Sequence, residues 1–133
     1  MADSLENLVR HRAKHRCEYC RLPQSAHPIQ FQIDHIVAKQ HGGKSTLGNL
    51  ALACFHCNTH KGPNLADLDP ETRRITPLFN PRRHKWQRHF RWDGRELVGL
   101  TAIGRVTIIV LAINLADYVA LRESIYLERR GDK

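Results

Sequence analysis

The sequence predicts an α+β fold: an N-terminal helix, a ββα unit and a basic C-terminal extension made of a hairpin and two helices. Apolar residues near the N-terminus follow a helical spacing, and two β-like runs flank a glycine-containing loop within residues 31–53. An apolar run at residues 106–113 is far shorter than the ~20 residues of a membrane span and predicts a core helix. With 133 residues, the chain is long enough for one domain with a modest core.

The first predicted element is an amphipathic helix over residues 4–16. Leu5, Leu8 and Val9 share one face of this helix because they follow the i, i+3, i+4 spacing. The other face carries four basic side chains, which are Arg10, Arg12, Lys14 and Arg16. The N-terminus has neither the basic nor the apolar region of a secretory signal, so we expect a cytoplasmic protein.

The four cysteines form two C-x2-C pairs, Cys17 with Cys20 and Cys54 with Cys57. In a reducing compartment, cysteines paired in this way are more typical of metal ligands than of disulfides. Two intervening residues allow a tight turn to present both sulfurs to one ion, and four thiolates suit a structural Zn2+. A redox-active C-x2-C is the alternative, but the chain has two pairs and neither lies in a βαβ pattern.

The segment between the cysteine pairs predicts a strand, a loop and a second strand or extended segment. These are residues 31–37, 41–45 and 47–53, in that order. A helix that starts near Cys54 would complete a ββα unit and place Cys54 and Cys57 on one face. Asn58 and Lys61 would share an adjacent face, because they are also three residues apart.

Asp34 and His35 are neighbouring polar residues inside the first β-like run, where both are costly to bury. Together with Asn49 and Asn58, and with a C-x2-C pair on either side, they resemble the HNH endonuclease family, the ββα-metal nucleases. The resemblance covers roughly residues 17–62, with the key residues in family order. It implies a ββα-metal nuclease core with a structural zinc site.

The resemblance also implies a role for each of these residues. His35 would be the general base, and Asn49 would hold the loop and orient that base. Asp34 and Asn58 would bind the catalytic metal, for which oxygen ligands favour Mg2+ or Mn2+. Phosphodiester hydrolysis needs an activated water and charge neutralisation at the phosphate, which a base and a divalent cation supply together.

Each of these residues also has an ordinary structural interpretation. Asp34 could be a satisfied core acid, Asn49 a turn residue and Asn58 a surface amide. The joint arrangement favours the catalytic interpretation, because all four residues stand in family order within one cysteine frame. A non-catalytic zinc-containing nucleic-acid-binding module is the alternative function, although such a module has no use for an Asp34-His35 pair aligned with Asn58.

Three other side chains of this region are less informative. Lys61 and His60 would contact phosphate from the same helix, and His56, between two cysteines, is expected to be exposed.

The neighbouring positions of Asp34 and His35 raise one geometric difficulty, because adjacent side chains on a regular strand point to opposite faces. Asp34 and His35 can serve one phosphate if the strand ends, twists or bulges there, or if metal and water lie on different sides of the phosphate.

The charge of the chain indicates a polyanionic partner. The formal net charge is +8, and residues 73–95 contain eight cations against the single anion Asp93. We therefore expect DNA binding, with RNA as an alternative and no membrane partner, whereas a merely solvated basic face is the ordinary interpretation. The candidate phosphate contacts in this segment are Arg82, Arg83 and Lys85.

The extension beyond the ββα unit is predicted from turn and helix signals. Asn80 before Pro81 predicts a helix start, and Asp93-Gly94 predicts a hairpin turn. Helices are expected near residues 102–113 and 115–129. Segments 78–82, 89–92 and 104–107 resemble the tail of small stand-alone bacterial HNH proteins.

The chain is expected to divide into a nuclease core at residues 1–65 and a basic extension at 66–133 that packs on it. Trp86 and Trp92 are expected in the core, although stacking on bases is the alternative. The oligomeric state is left open by the sequence.

Overall fold

The computed structural model describes residues 2–131, in which short antiparallel strand pairs lie between helices. In chain order, the elements are α1 (Ala2–Arg12), β1 (Gln32–His35), β2 (Leu50–Ala53), α2 (Phe55–Lys61), β3 (Ala66–Leu68), β4 (Ile75–Pro77), α3 (Trp86–His89), β5 (Phe90–Asp93), β6 (Glu96–Gly99), α4 (Ala102–Val110) and α5 (Ala116–Gly131). The α+β prediction is confirmed. Residue 1 of the predicted core and residues 132 and 133 of the predicted extension lie outside the described residues.

The first helix ends earlier than the sequence pattern predicts. α1 stops at Arg12, and Lys14 and His15 take positive φ angles of 55° and 56°, which turn the chain back toward the first cysteine pair. Its basic side chains also contact protein. Arg10 Nη1 donates to the Phe31 carbonyl at 2.9 Å, and Arg12 donates to the Leu47 and Leu50 carbonyls at 2.9 and 2.6 Å. These arginines therefore fix the helix against the strand pair.

β1 and β2 form an antiparallel pair with a regular register. Asp34 lies opposite Ala51, and His35 lies opposite Leu50. All four residues of β2 are buried. β1 ends at His35, which is one of the arrangements that would let Asp34 and His35 reach one site. The loop that follows approaches β1 closely at Gly43, where a Cβ atom would lie 1.7 Å from the Val37 carbonyl oxygen, so only glycine fits.

The predicted helix start at Asn80-Pro81 is wrong. Residues 81–84 form a turn, in which Asn80 Oδ1 accepts from the Arg82 amide at 2.9 Å, and the Asn80 carbonyl accepts from the Arg83 and His84 amides. The next helix, α3, begins only at Trp86. The hairpin prediction is correct, because β5 pairs with β6 across Gly94 at φ 61°.

One hydrophobic cluster contains buried residues from both halves of the chain, from Val9 to Ile113. Polar contacts also join the halves. Trp86 Nε1 donates to the Tyr19 carbonyl at 2.8 Å, and Arg82 is in contact with the Glu18 carboxylate. Trp86 is buried as expected, whereas Trp92 is 39% exposed.

The division of the chain into a core and an extension at residue 65 stays a prediction. Among the helices of residues 2–131, none combines the length and apolar character needed to cross a bilayer.

Candidate active site and metal centre

The four cysteines are positioned to form one metal site. All four side chains are buried and free of disulfides, and their Sγ atoms lie within 4.8 Å of one another. Each C-x2-C pair folds as a tight turn, because Cys17 Sγ accepts from the Cys20 amide at 3.5 Å and Cys54 Sγ from the Cys57 amide at 3.4 Å. Cys54 is also the N-cap of α2. The site therefore ties α2 to the loop before β1.

Asp34 is buried, with 5% of its surface exposed, and its carboxylate has two close partners. The Tyr19 hydroxyl donates to Oδ2 at 2.8 Å, and Lys61 Nζ lies 3.2 Å from Oδ2 and 3.4 Å from Oδ1. Burial raises the pKa of Asp34, and the positive charge of Lys61 opposes that rise. Oδ1 has only the longer contact to Lys61, so it is the less engaged oxygen.

Lys61 requires a correction to the sequence interpretation. The sequence predicts that Lys61 contacts phosphate from α2, but the side chain is only 2% exposed. Its ammonium also donates to the backbone carbonyls of His35 and Ile36 at 3.3 and 3.2 Å. All of these partners lie within the protein, and Lys61 therefore stabilises the end of β1 through hydrogen bonds to its carbonyl groups.

His35 is half-buried at the end of β1, and one of its ring nitrogens has a defined partner. Nε2 lies 2.9 Å from the Ser45 hydroxyl oxygen. Within residues 2–131, Nδ1 has no hydrogen-bond partner. If Nε2 carries the proton and donates to Ser45, Nδ1 bears the lone pair.

Asn49 lies under the loop between the strands and makes three hydrogen bonds to its backbone. Oδ1 accepts from the Val37 amide at 2.9 Å, and Nδ2 donates to the Val37 and Lys44 carbonyls at 3.0 and 2.9 Å. A single side chain thus joins both ends of the loop. The loop in turn contains Ser45, the partner of His35.

Asn58 lies on α2 next to Cys57 and faces β1. Its Nδ2 donates to Gln32 Oε1, and Oδ1 has no hydrogen bond within the described part of the chain. Asp34, His35 and Asn58 all line one open surface depression of about 330 Å³. Three of the four residues singled out for catalysis therefore meet at one place, and Asn49 lies behind it.

The remaining candidates differ in how available they are. His60 is exposed, with Nδ1 2.9 Å from the His56 carbonyl, and Arg83 and Lys85 are exposed. Arg82 is largely buried against Glu18, and burial lowers its pKa to about 10. A phosphate contact is therefore not supported for Arg82, because its guanidinium is engaged within the protein.

His56 is also a correction, because it is buried and not exposed as expected. Its Nε2 lies 2.8 Å from the Ala112 carbonyl, and its ring packs against Tyr118 with the ring centroids 3.7 Å apart. The histidine therefore joins α2 to the C-terminal helices. The sequence alone placed it between two cysteines and gave no sign of this long-range contact.

Sequence reasoning missed Tyr19 and Ser45, which contact Asp34 and His35. Tyr19 lies inside the first C-x2-C pair, and Ser45 lies in the glycine-containing loop. No spacing signal marks either residue. Their roles depend on how the first cysteine turn and the loop fold over the strand pair.

Comparison with known proteins identifies the class of this segment. Residues 17–64 of the 133-residue chain, about a third of it, match the family model described as HNH endonuclease. The match includes both cysteine pairs and every residue that lines the depression. A match to this family implies a nucleic acid substrate. No curated protein and no solved structure matched the chain.

Proposed function

We propose that this protein is a metal-dependent endonuclease that hydrolyses phosphodiester bonds in DNA. The observation that carries this proposal is the meeting of Asp34, His35 and Asn58 at one open depression within the HNH segment. A shallow, open site suits a polymeric substrate, because the strand must enter and leave from the sides. The strongly basic composition of the chain is consistent with such a partner.

His35 acts as the general base in this proposal. In the tautomer that this role requires, Nε2 carries the proton and donates to Ser45 Oγ, and Nδ1 accepts a proton from the attacking water. Asn49 is a positioning residue. It holds the loop that carries Ser45 through three hydrogen bonds and thereby keeps the imidazole in orientation.

Asp34 and Asn58 offer oxygen atoms that fit a divalent cation. Asp34 Oδ1 is the less engaged carboxylate oxygen, and Asn58 Oδ1 has no hydrogen bond within residues 2–131. Hard cations such as Mg2+ and Mn2+ take one or two protein oxygens and complete their shell with water and phosphate oxygens. A bound cation would neutralise charge on the phosphate and stabilise the leaving oxygen.

The cysteine site binds Zn2+ and has a structural role in this proposal. Four buried thiolates without an open position match closed structural zinc sites. Zinc would hold α2, and with it Asn58, against the loop before β1. A cytoplasmic location, where thiols stay reduced, suits this site.

Phosphate contacts are proposed for His60, Arg83 and Lys85, which are exposed. Lys61 and Arg82 are left out, because their charges are buried against Asp34 and Glu18. Contacts of this kind go to the sugar-phosphate backbone, so they carry affinity without reading base sequence. RNA is the alternative substrate.

The experiment that tests the proposal measures nicking of supercoiled plasmid by the zinc-loaded protein, with and without Mg2+ or Mn2+. Omitting the added cation is a better control than a chelator, which would also remove zinc. We expect nicking that requires the added cation. A parallel reaction with single-stranded RNA compares the two substrates.

The rival function is a zinc-containing module that binds nucleic acid and does not cut it. It is favoured if the protein retards DNA in gels but cuts neither DNA nor RNA with any divalent cation. A gel-shift experiment without added divalent cation measures this binding.

A further inference from the structure

A second concave site lies away from the catalytic depression and has a strongly cationic lining. This cavity of about 280 Å³ opens between the first cysteine turn, β5–β6 and α5, and it has no lining residue in common with the depression. Five of its lining side chains are arginines, which are Arg16, Arg21, Arg95, Arg122 and Arg129. We refer to it as the arginine cavity.

The nearby negative charges do not balance these arginines. Glu123 lies 3.6 Å from Arg95 and is the only acid in the described residues that forms a salt bridge with a lining arginine. The adjacent cysteine site would retain two negative charges with zinc bound, because four thiolates surround one divalent ion. Five guanidinium groups therefore leave an excess of positive charge in the arginine cavity.

Arg122, a lining residue of the arginine cavity, has one donor without a hydrogen-bond partner within the described residues. The residue is 8% exposed, and its Nε and Nη2 donate to the Arg95 and Ile113 carbonyls at 2.9 and 3.0 Å. Its Nη1 is buried and has no hydrogen-bond partner within the described residues. A buried charged donor without a partner is costly, so an anion next to the Arg122 guanidinium would be stabilising.

Two aromatic rings line the same cavity. Trp92 and Tyr126 are 39% and 36% exposed. The Arg122 guanidinium lies 5.4 Å from the Trp92 ring centroid, and that of Arg95 lies 4.0 Å from the Tyr126 ring centroid. Exposed rings next to guanidinium groups form the kind of surface on which nucleic-acid bases stack.

We propose that the arginine cavity binds the phosphoryl group of a nucleotide, with the base against Trp92 or Tyr126. Arg122 would donate from Nη1 to a phosphoryl oxygen, and the more exposed Arg16 and Arg129 would neutralise its charge. The same chemistry occurs in a nucleic-acid strand and in a free mononucleotide. This proposal does not depend on nuclease activity, because no residue of the cavity belongs to the catalytic depression.

The test measures binding without added divalent cation, so that no strand is cut. The probes are a short fluorescent oligodeoxynucleotide, followed by anisotropy, and adenosine monophosphate, followed by calorimetry. Arg122→Gln is expected to weaken binding by about tenfold, as for a lost hydrogen bond to a charged group. Arg16→Gln combined with Arg95→Gln keeps the test valid if the buried substitution unfolds the protein.

The matched controls lie at exposed positions outside the arginine cavity: Arg88→Gln for the single variant, and Arg88→Gln combined with Arg91→Gln for the double variant. If the cavity variants weaken both probes more than their controls do, the site accepts a free mononucleotide. If they weaken only the oligonucleotide, the phosphoryl group comes from a strand. If the cavity and control variants bind the oligonucleotide equally, and mononucleotide binding is absent or unchanged, the proposal is overturned.

Discussion

Lys61 Nζ lies 3.2 Å from Asp34 Oδ2, and both side chains are almost fully buried. This ion pair connects the last residue of α2 to β1 directly beside the proposed base. Burial raises the pKa of Asp34, and the charge of Lys61 opposes this rise and so favours the charged carboxylate. The ion pair also means that a cation bound at Asp34 would share that carboxylate with Lys61.

Removing Lys61 is expected to destabilise the protein strongly. Lys61→Met leaves the Asp34 carboxylate buried without its partner, so we predict a loss of about 3–5 kcal/mol in the free energy of unfolding. Urea denaturation measures this loss. The double variant Lys61→Met with Asp34→Asn should recover part of it, because it removes both charges. An additive effect of the two substitutions would contradict a coupled pair.

Asn49 is expected to affect catalysis more than binding. Asn49→Ala removes three hydrogen bonds to the loop that carries Ser45, so His35 loses its orientation. We predict a fall of about 10²-fold in the cleavage rate, typical of a misplaced catalytic group, with little change in KM. Steady-state kinetics on plasmid DNA provides the measurement. An unchanged rate in a folded Asn49→Ala protein would remove Asn49 from the mechanism.

Metal removal is expected to unfold the HNH segment. The four buried sulfurs join the first cysteine turn to α2, so one zinc ion per chain should be required for cooperative melting. Elemental analysis gives the stoichiometry, and circular dichroism follows melting after a chelator and after zinc is added back. Cys57→Ser should melt lower even with zinc in excess. A chelated protein that melts like the zinc-loaded one would disprove the structural role.

Asp69 predicts a specific pH dependence of stability. Arg105 donates two hydrogen bonds to this buried carboxylate, at 3.0 and 2.9 Å, and holds the pKa of Asp69 well below its ordinary value. A lowered folded-state pKa gives stability that is present above the unfolded-state pKa of about 4 and is lost as the pH falls through the folded value.

Melting temperatures measured from about pH 7 down to about pH 3 test this dependence. The unaltered protein should lose stability below about pH 4. Asp69→Asn should start lower and lose less over the same range. Parallel curves for the two proteins would show that Asp69 does not contribute to acid unfolding.

Local signals in the sequence were sufficient to predict the ββα unit and the cysteine site. Spacing alone placed Cys54 and Cys57 on the first turn of a helix, and the Asp93-Gly94 turn fixed a hairpin. Such features depend on neighbours in the chain. Asn80 and Pro81 form a turn and not a helix start, because both share the same local signature and the Asn80 side chain stabilises the turn.

The contacts around the candidate site could not be predicted in the same way. The sequence predicts a phosphate contact for Lys61, because nothing in the sequence shows that its ammonium reaches the carbonyls at the end of β1. The pairing of Arg82 with Glu18 joins residues 64 apart, and that of His56 with Ala112 joins residues 56 apart. These side chains are buried by tertiary packing, which no periodic pattern in the sequence indicates.

The nicking rate of His35→Ala tests the central claim most directly. The substitution is compared with His41→Ala, an exposed histidine of the same loop that does not line the depression, using zinc-loaded proteins in Mg2+. Loss of a general base predicts a rate about 10²–10⁴-fold below that of the unaltered protein, while His41→Ala stays close to it. Equal nicking by all three proteins would contradict the assignment of His35 as the base.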